Sequence, residues 1–105
     1  MALEGHIQLY NGIDMTSAYV VVAEVCIKKV EGSGNAAEVY VAVYFNEAIK
    51  TAGKSEVVHF NHRAIGALFD TYFADAVVNQ TGKNHFSQSY EYLKSLSQYS
   101  GFTDV

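Results

Sequence analysis

The sequence predicts an α+β fold, an antiparallel β-meander of three to five strands packed by a C-terminal amphipathic helix. Three observations predict it. Two long β-branched runs, "SAYVVVAEVCIKKVEG" at 17–32 and "AEVYVAVYFNEA" at 37–48, stand on either side of the Gly-rich stretch "EGSGN" at 31–35. Such an arrangement reads as paired antiparallel strands. The closing stretch places Phe86, Tyr90, Leu93 and Leu96 at spacings of four, three and three, one face of a helix. With 105 residues, half of them hydrophobic and 17% charged, the chain makes one domain over residues 1–105. A chain of this size buries roughly 65% of its unfolded surface, enough for one core.

The elements follow in chain order. "GHIQLYNGIDM" at 5–15 alternates around Ile7 and Leu9 and predicts a short strand at 5–10. Asn11-Gly12 then supplies a turn, because both residues tolerate positive φ. In the next strand a strict period of two sends Tyr19, Val21, Ala23, Val25 and Ile27 one way, a wholly apolar set expected in the core. Ala18, Val20, Val22, Glu24, Cys26 and Lys28 point the other way. After the loop at 31–35, Val39, Val41, Val43 and Phe45 form the apolar face of the partner strand, with Tyr40, Ala42, Tyr44 and Asn46 opposite. "KTAGKSE" at 50–56 reads as a turn and "EVVHFNH" at 56–62 as a third strand.

Residues 63–80 remain open between helix and strand. Ile65, Leu68, Phe69, Tyr72, Phe73 and Ala76 fit a helical stripe, while Phe69, Thr71, Phe73 and Val77-Val78 fit a strand. The reading favours a helix over 63–72 with extended structure after it. "NQTGKN" at 79–84 is a loop. Asn84 is the expected N-cap of the terminal helix, and Gly101 its C′ residue with Phe102 folded back on Leu96. An amphipathic helix of this kind must pack on the sheet, and the face with Val21, Val25, Val41 and Val43 is the expected seat.

The chemistry-bearing residues point away from catalysis. Net charge is −4, with Lys28-Lys29 and Lys50/Lys54 isolated, so nucleic acid is not an expected partner. His59 and His62 lie three apart, which in a strand sends them to opposite faces, and His6 and His85 are distant in sequence. No metal site, cofactor or small-molecule substrate is expected. Cys26, the single cysteine, reads as a small buried hydrophobe. There is no Gly-x-Ser-x-Gly elbow, "EGSGN" lacks the Lys-Ser/Thr of a phosphate loop, and Asp70 and Asp75 read as solvated carboxylates. Glu4 and His6 interrupt any signal-peptide run, and no apolar stretch approaches a membrane span. A soluble, non-enzymatic product of the cytoplasm is expected, with no membrane partner.

Eight Tyr and six Phe with no Trp are more aromatic surface than a small core needs, and Tyr suits a partner-facing surface. Apolar residues stand on both faces of the long strands, more than one helix covers. The interface candidates are Tyr40, Tyr44, Val20 and Val22, with Tyr92 on the terminal helix. The competing reading has residues 63–80 covering the second face within the monomer.

The order of features also resembles a family. Gly12, Ile13, Ala18, Tyr19 and Glu24 at the start, and Gln88, Ser89, Tyr90, Leu93, Lys94, Leu96, Phe102, Asp104 and Val105 at the close, resemble small tail-associated proteins of tailed phages and prophages. Ser97 stands where that group usually carries Pro. The resemblance implies a virion structural protein of tail or baseplate, made in the host bacterial cytoplasm. It would act by self-association or by docking on other tail proteins, and no catalytic residue is implied. The alternative function is a small phage-encoded binding or inhibitor module aimed at a host protein.

Overall fold

A computed structural model describes residues 2–9, 12–30 and 34–105. The elements are β1 (Leu3–Gln8), β2 (Asp14–Val30), β3 (Gly34–Tyr44), α1 (Glu47–Thr51), β4 (Val58–Ile65), α2 (Ala67–Tyr72), α3 (Asp75–Val78), α4 (His85–Ser95) and β5 (Thr103–Asp104). A 3₁₀ turn at Ser97–Tyr99 joins α4 to β5. The five strands form one antiparallel sheet in the order β4-β3-β2-β1-β5. The fold is the α+β meander with a packed terminal helix. The turn expected at Asn11-Gly12 and the loop at 31–35 fall partly outside the described residues. Gly12 itself has φ +92, and its N–H donates to the Leu9 carbonyl at 3.0 Å.

The long strand β2 changes phase twice. Thr16 and Ser17 together face the single residue His6 of β1, and Ala23 is an extra residue between the pairs Val22–Val41 and Glu24–Tyr40. Each β-bulge moves the following side chains to the other face. The helix side of β2 therefore carries Met15, then Ala18, Val20 and Val22, then Val25 and Ile27. This corrects the face assigned by strict alternation. Val20, expected on the open side, is 0% exposed and Val22 is 6%, while Val21 turns to the other side.

The core lies between the helix side of the sheet and the helices. Leu3, Met15, Val20, Val39, Val41, Val43, Phe73, Leu93 and Tyr99 are its large, fully enclosed members. Helix α4 contributes Tyr90, Tyr92 and Leu93, and α2 contributes Phe69. Phe73 and Tyr92 meet edge to face at 5.9 Å, as do Tyr72 and Tyr92 at 5.8 Å.

Helix α4 begins as the sequence predicts. Asn84 Oδ1 accepts from Ser87 N at 2.8 Å, and Ser87 Oγ accepts from Asn84 N at 2.9 Å, a reciprocal capping box. Its end differs. The helix stops at Ser95 with Leu96 extended, and Gly101 (φ +82) closes the 3₁₀ turn instead of capping α4. Phe102 packs edge to face on Tyr99 at 5.4 Å and lies over Gly5, where any Cβ would sit 2.4 Å from its ring. The next residues form β5, and Ala2 and Val105 exchange backbone hydrogen bonds of 3.0 and 3.1 Å.

Residues 63–80 divide between states. Arg63–Ile65 extend β4, Gly66 turns the chain at φ +59, and α2 occupies 67–72 within the span read as helix. The stretch after it, expected to be extended, forms the short helix α3. The strand expected to run to Ala48 stops at Tyr44, and helix α1 replaces its end and the start of the turn expected at 50–56, capped by Asn46 Oδ1 accepting from Ile49 N at 2.9 Å.

Candidate interaction face

Antiparallel pairing arranges the side of the sheet away from α4 in rows. Across β2, β3 and β4 the rows are Lys28–Ala36–Ile65, Cys26–Glu38–Arg63, Glu24–Tyr40–Asn61 and Val21–Ala42–His59, and Tyr19 pairs with Tyr44 at the far end. Helix α1 lies against β2 and β3 at that far end, with Lys50 Nζ 5.9 Å from the centre of the Tyr44 ring. The rows toward the β2–β3 turn stay open.

Glu38 organises the open rows. Its carboxylate takes Lys28 Nζ at 2.9 Å and Tyr40 Oη at 2.7 Å on one oxygen, with Arg63 Nε at 4.0 Å from the other. Its side chain is 13% exposed, against 51% for Lys28 and 50% for Arg63. Hydrogen bonds from Lys28 and Tyr40 hold the Glu38 carboxyl below the usual carboxylate range. The same carboxylate raises the Lys28 ammonium and the Tyr40 hydroxyl. The single charge of Glu38 is thus met by two cations and a hydroxyl on the same face. Cys26, expected to be buried, is half-exposed beside this cluster, and its thiol donates to Glu24 Oε1 at 3.5 Å. That hydrogen bond raises the thiol above its ordinary value and opposes thiolate formation.

The interface candidates separate. Tyr40 stands at the centre of the open rows, half-buried and bonded to Glu38. Tyr44 is half-buried beside Lys50 of α1. Val20, Val22 and Tyr92 are in the core, because the bulge at 16–17 turns the two valines under α4 and the α2–α4 packing encloses Tyr92. Sequence alone did not single out Glu38, Lys28 and Arg63. Their signal lies in the register, which sets opposite charges side by side across three strands.

Two tyrosines of α4 reach opposite edges of the β2-β3-β4 ribbon. Tyr90 Oη accepts from the Val22 N–H at 2.9 Å on β2, and Tyr92 Oη donates to the Arg63 carbonyl at 3.1 Å on β4. Burial raises both hydroxyls above their ordinary values.

Three of the four histidines have side-chain partners. His59, on the open side, sits 3.3 Å from Glu56, and His62, on the helix side, meets Tyr99 Oη at 2.7 Å. Burial lowers His62 and raises Tyr99. His6 contacts Asp14 on β2. Among the described residues no three His, Cys, Asp or Glu side chains converge as metal ligands, and no helix is long and apolar enough to cross a membrane.

Two concavities lie away from the open rows. A cleft of about 480 Å³ between the loop after α3 and helix α4 is lined by Tyr72, Val77, Lys83, Gln88 and Glu91. Gln88 Nε2 is committed there to the Tyr72 carbonyl at 3.2 Å. A shallow groove of about 620 Å³ between α1 and β1 is lined by Glu4, Asn46, Glu47, Ala48 and Thr51. The hydroxyls lining the first cleft are committed to backbone, Thr71 Oγ1 donating to the Ala67 carbonyl at 2.8 Å and Ser87 Oγ to the Asn84 carbonyl at 3.1 Å.

The architecture is a one-layer sheet covered by helices mainly on one side. Comparison with known proteins finds no matching family model, curated protein or solved structure.

Proposed function

We propose that the chain is a non-enzymatic structural protein of a tailed phage or prophage particle, associated with the tail or baseplate, that acts by self-association or by docking on a tail component. It is made in the host bacterial cytoplasm and works in the virion. The observation that carries the reading is the open side of the sheet, where Tyr40, Ile65 and the Lys28–Glu38–Arg63 cluster stand beyond the reach of α4. A face that pairs its carboxylate with two cations and carries amphipathic tyrosines suits a partner surface. The resemblance of residues 12–24 and 88–105 to phage tail proteins supplies the setting.

The test is light scattering coupled to size exclusion over a range of concentrations, with pull-down against purified tail and baseplate proteins. Self-association, or a complex with a tail protein that Tyr40→Glu weakens at least tenfold, supports the reading. A strict monomer with no affinity for any tail protein sinks it. One dominant host partner in its place favours the inhibitor module.

A further inference from the structure

Strand β2 outruns its neighbour. β1 pairs with it only as far as Leu3–Val20, and β5 then takes the other edge of β1. From Val22 onward the edge of β2 that β1 leaves behind has no strand beside it among the described residues. The polar groups on that edge follow from the pairing. Tyr92 reaches the Arg63 carbonyl from outside the sheet, so Arg63 and Glu38 form a pair without mutual backbone bonds. Glu38 then bonds to Cys26 across β2–β3, and the alternation points the N–H and C=O of Val25, Ile27 and Lys29 outward. The Val22 N–H, on the same edge, is covered by Tyr90. Past it, over residues 23–29, the edge carries Ile27, 46% exposed, and no buried or proline residue to block pairing. An edge of this kind is a template for another strand.

The side chains select the strand. Glu24, Cys26 and Lys28 alternate on the open side, acidic and basic on either side of the thiol. We infer that β2 pairs with β2 of a second copy, antiparallel about a two-fold axis through Cys26. This register sets Glu24 opposite Lys28 of the second copy and Lys28 opposite its Glu24. It also bonds Val25 to Ile27 reciprocally, as the outward polar groups require. On the helix side it lays Ile27 against Val25, covering the exposed apolar side chain. Shifting the axis to Ile27 keeps the backbone bonds but sets Lys28 against Cys26 and moves Glu24 away from Lys28, and loses both charge pairs. The isologous interface is self-complementary, as a two-fold dimer needs, and joins two sheets into one. This inference rests on the self-association half of the proposed function and names its surface.

The register is tested by charge exchange. Glu24→Lys and Lys28→Glu should each weaken the homodimer at least tenfold, because both cross-strand pairs become like-charged. Mixing the two variants should restore a dimer, now heterodimeric, and the double variant should restore the homodimer. Cys26 reports the register directly. Opposed residues without mutual backbone bonds stand about 4.5 Å apart at Cα, within disulfide reach. Mild oxidation of wild-type protein should therefore give a Cys26-linked dimer, and oxidation of the mixed variants should link unlike chains. Lys28 also meets Glu38 within the chain, so circular dichroism checks each fold, and Glu24→Lys alone keeps the test intact if Lys28→Glu unfolds. A dimer indifferent to these exchanges, or one that Cys26 does not link, overturns the inference and leaves the proposed function standing. A protein monomeric at all concentrations overturns the inference, and failure to bind any tail protein then removes the proposed function too.

Discussion

Replacing Tyr90 by Phe removes one hydroxyl and leaves the ring in place. The hydroxyl accepts the Val22 N–H at 2.9 Å, between residues 4% and 6% exposed. Without it a backbone donor at the covered start of a free edge has no partner. A buried polar group left unsatisfied costs about 1–3 kcal/mol. At this chain length 1 kcal/mol moves the melting temperature by about 4 °C, so the variant should melt about 4–12 °C lower. Tyr92→Phe is the control. It strips the Arg63 carbonyl at the other edge, where the bond is part-buried rather than buried, and should cost about 0.5–1.5 kcal/mol. Urea unfolding of both variants, with hydrogen exchange of the Val22 amide, measures the difference. A Tyr90→Phe loss below about 0.5 kcal/mol, or a larger loss for Tyr92→Phe, would refute the assignment of the buried donor.

Leu93→Ala, at a fully enclosed position, should cost about 2–5 kcal/mol, whereas Phe86→Ala, 49% exposed on the same helix, should stay within about 0.5 kcal/mol in the same urea assay. Burial lowers His62, so the unfolded chain takes up this proton first as pH falls, and stability is lost below about pH 6.5, the ordinary histidine value; His62→Gln should flatten that part of a stability profile between pH 5 and 8. At the alkaline end Tyr90, Tyr92 and Tyr99 are all raised by burial, so stability should fall as pH rises past about 10, where tyrosines of the unfolded chain ionise; a denaturant midpoint unchanged between pH 9 and 11 would contradict this. Gly5→Ala should cost about 1–3 kcal/mol, because the new methyl meets the Phe102 ring, and Phe102→Ala in the same chain should relieve the clash.

Sequence periodicity carried the fold class and failed on the phase of one strand. Met15, Val25 and Ile27 obey one alternation and Ala18, Val20 and Val22 the other, because an extra residue enters at 16–17 and again at Ala23. No Gly or Pro marks either bulge, and Ala23 fits any strand pattern, so a strict period of two crosses both unnoticed. The terminal helix was legible because its cap is local. Asn84 and Ser87 satisfy each other within four residues, and the apolar stripe repeats at helical spacing. Its ending was not, since Leu96 leaves the helix to place Tyr99 against His62, a long-range contact. Helix α1 was hidden because its first residues, Glu47 and Ala48, fall at the end of the run that reads as strand β3, and its last, Lys50 and Thr51, open the Gly- and Lys-bearing stretch that resembles a turn. The open face was half legible. Tyr40 and Tyr44 follow from alternation, but Glu38 gains its role from Lys28 and Arg63 on two other strands.

The paired grip of Tyr90 and Tyr92 makes α4 a tie-bar across the ribbon. Because the helix holds two opposite margins at once, peeling either margin also weakens the seat of the helix that fastens the other. Loosening at Val22 should be felt at Arg63, and the three strands and their helix should open and close as one mechanical unit.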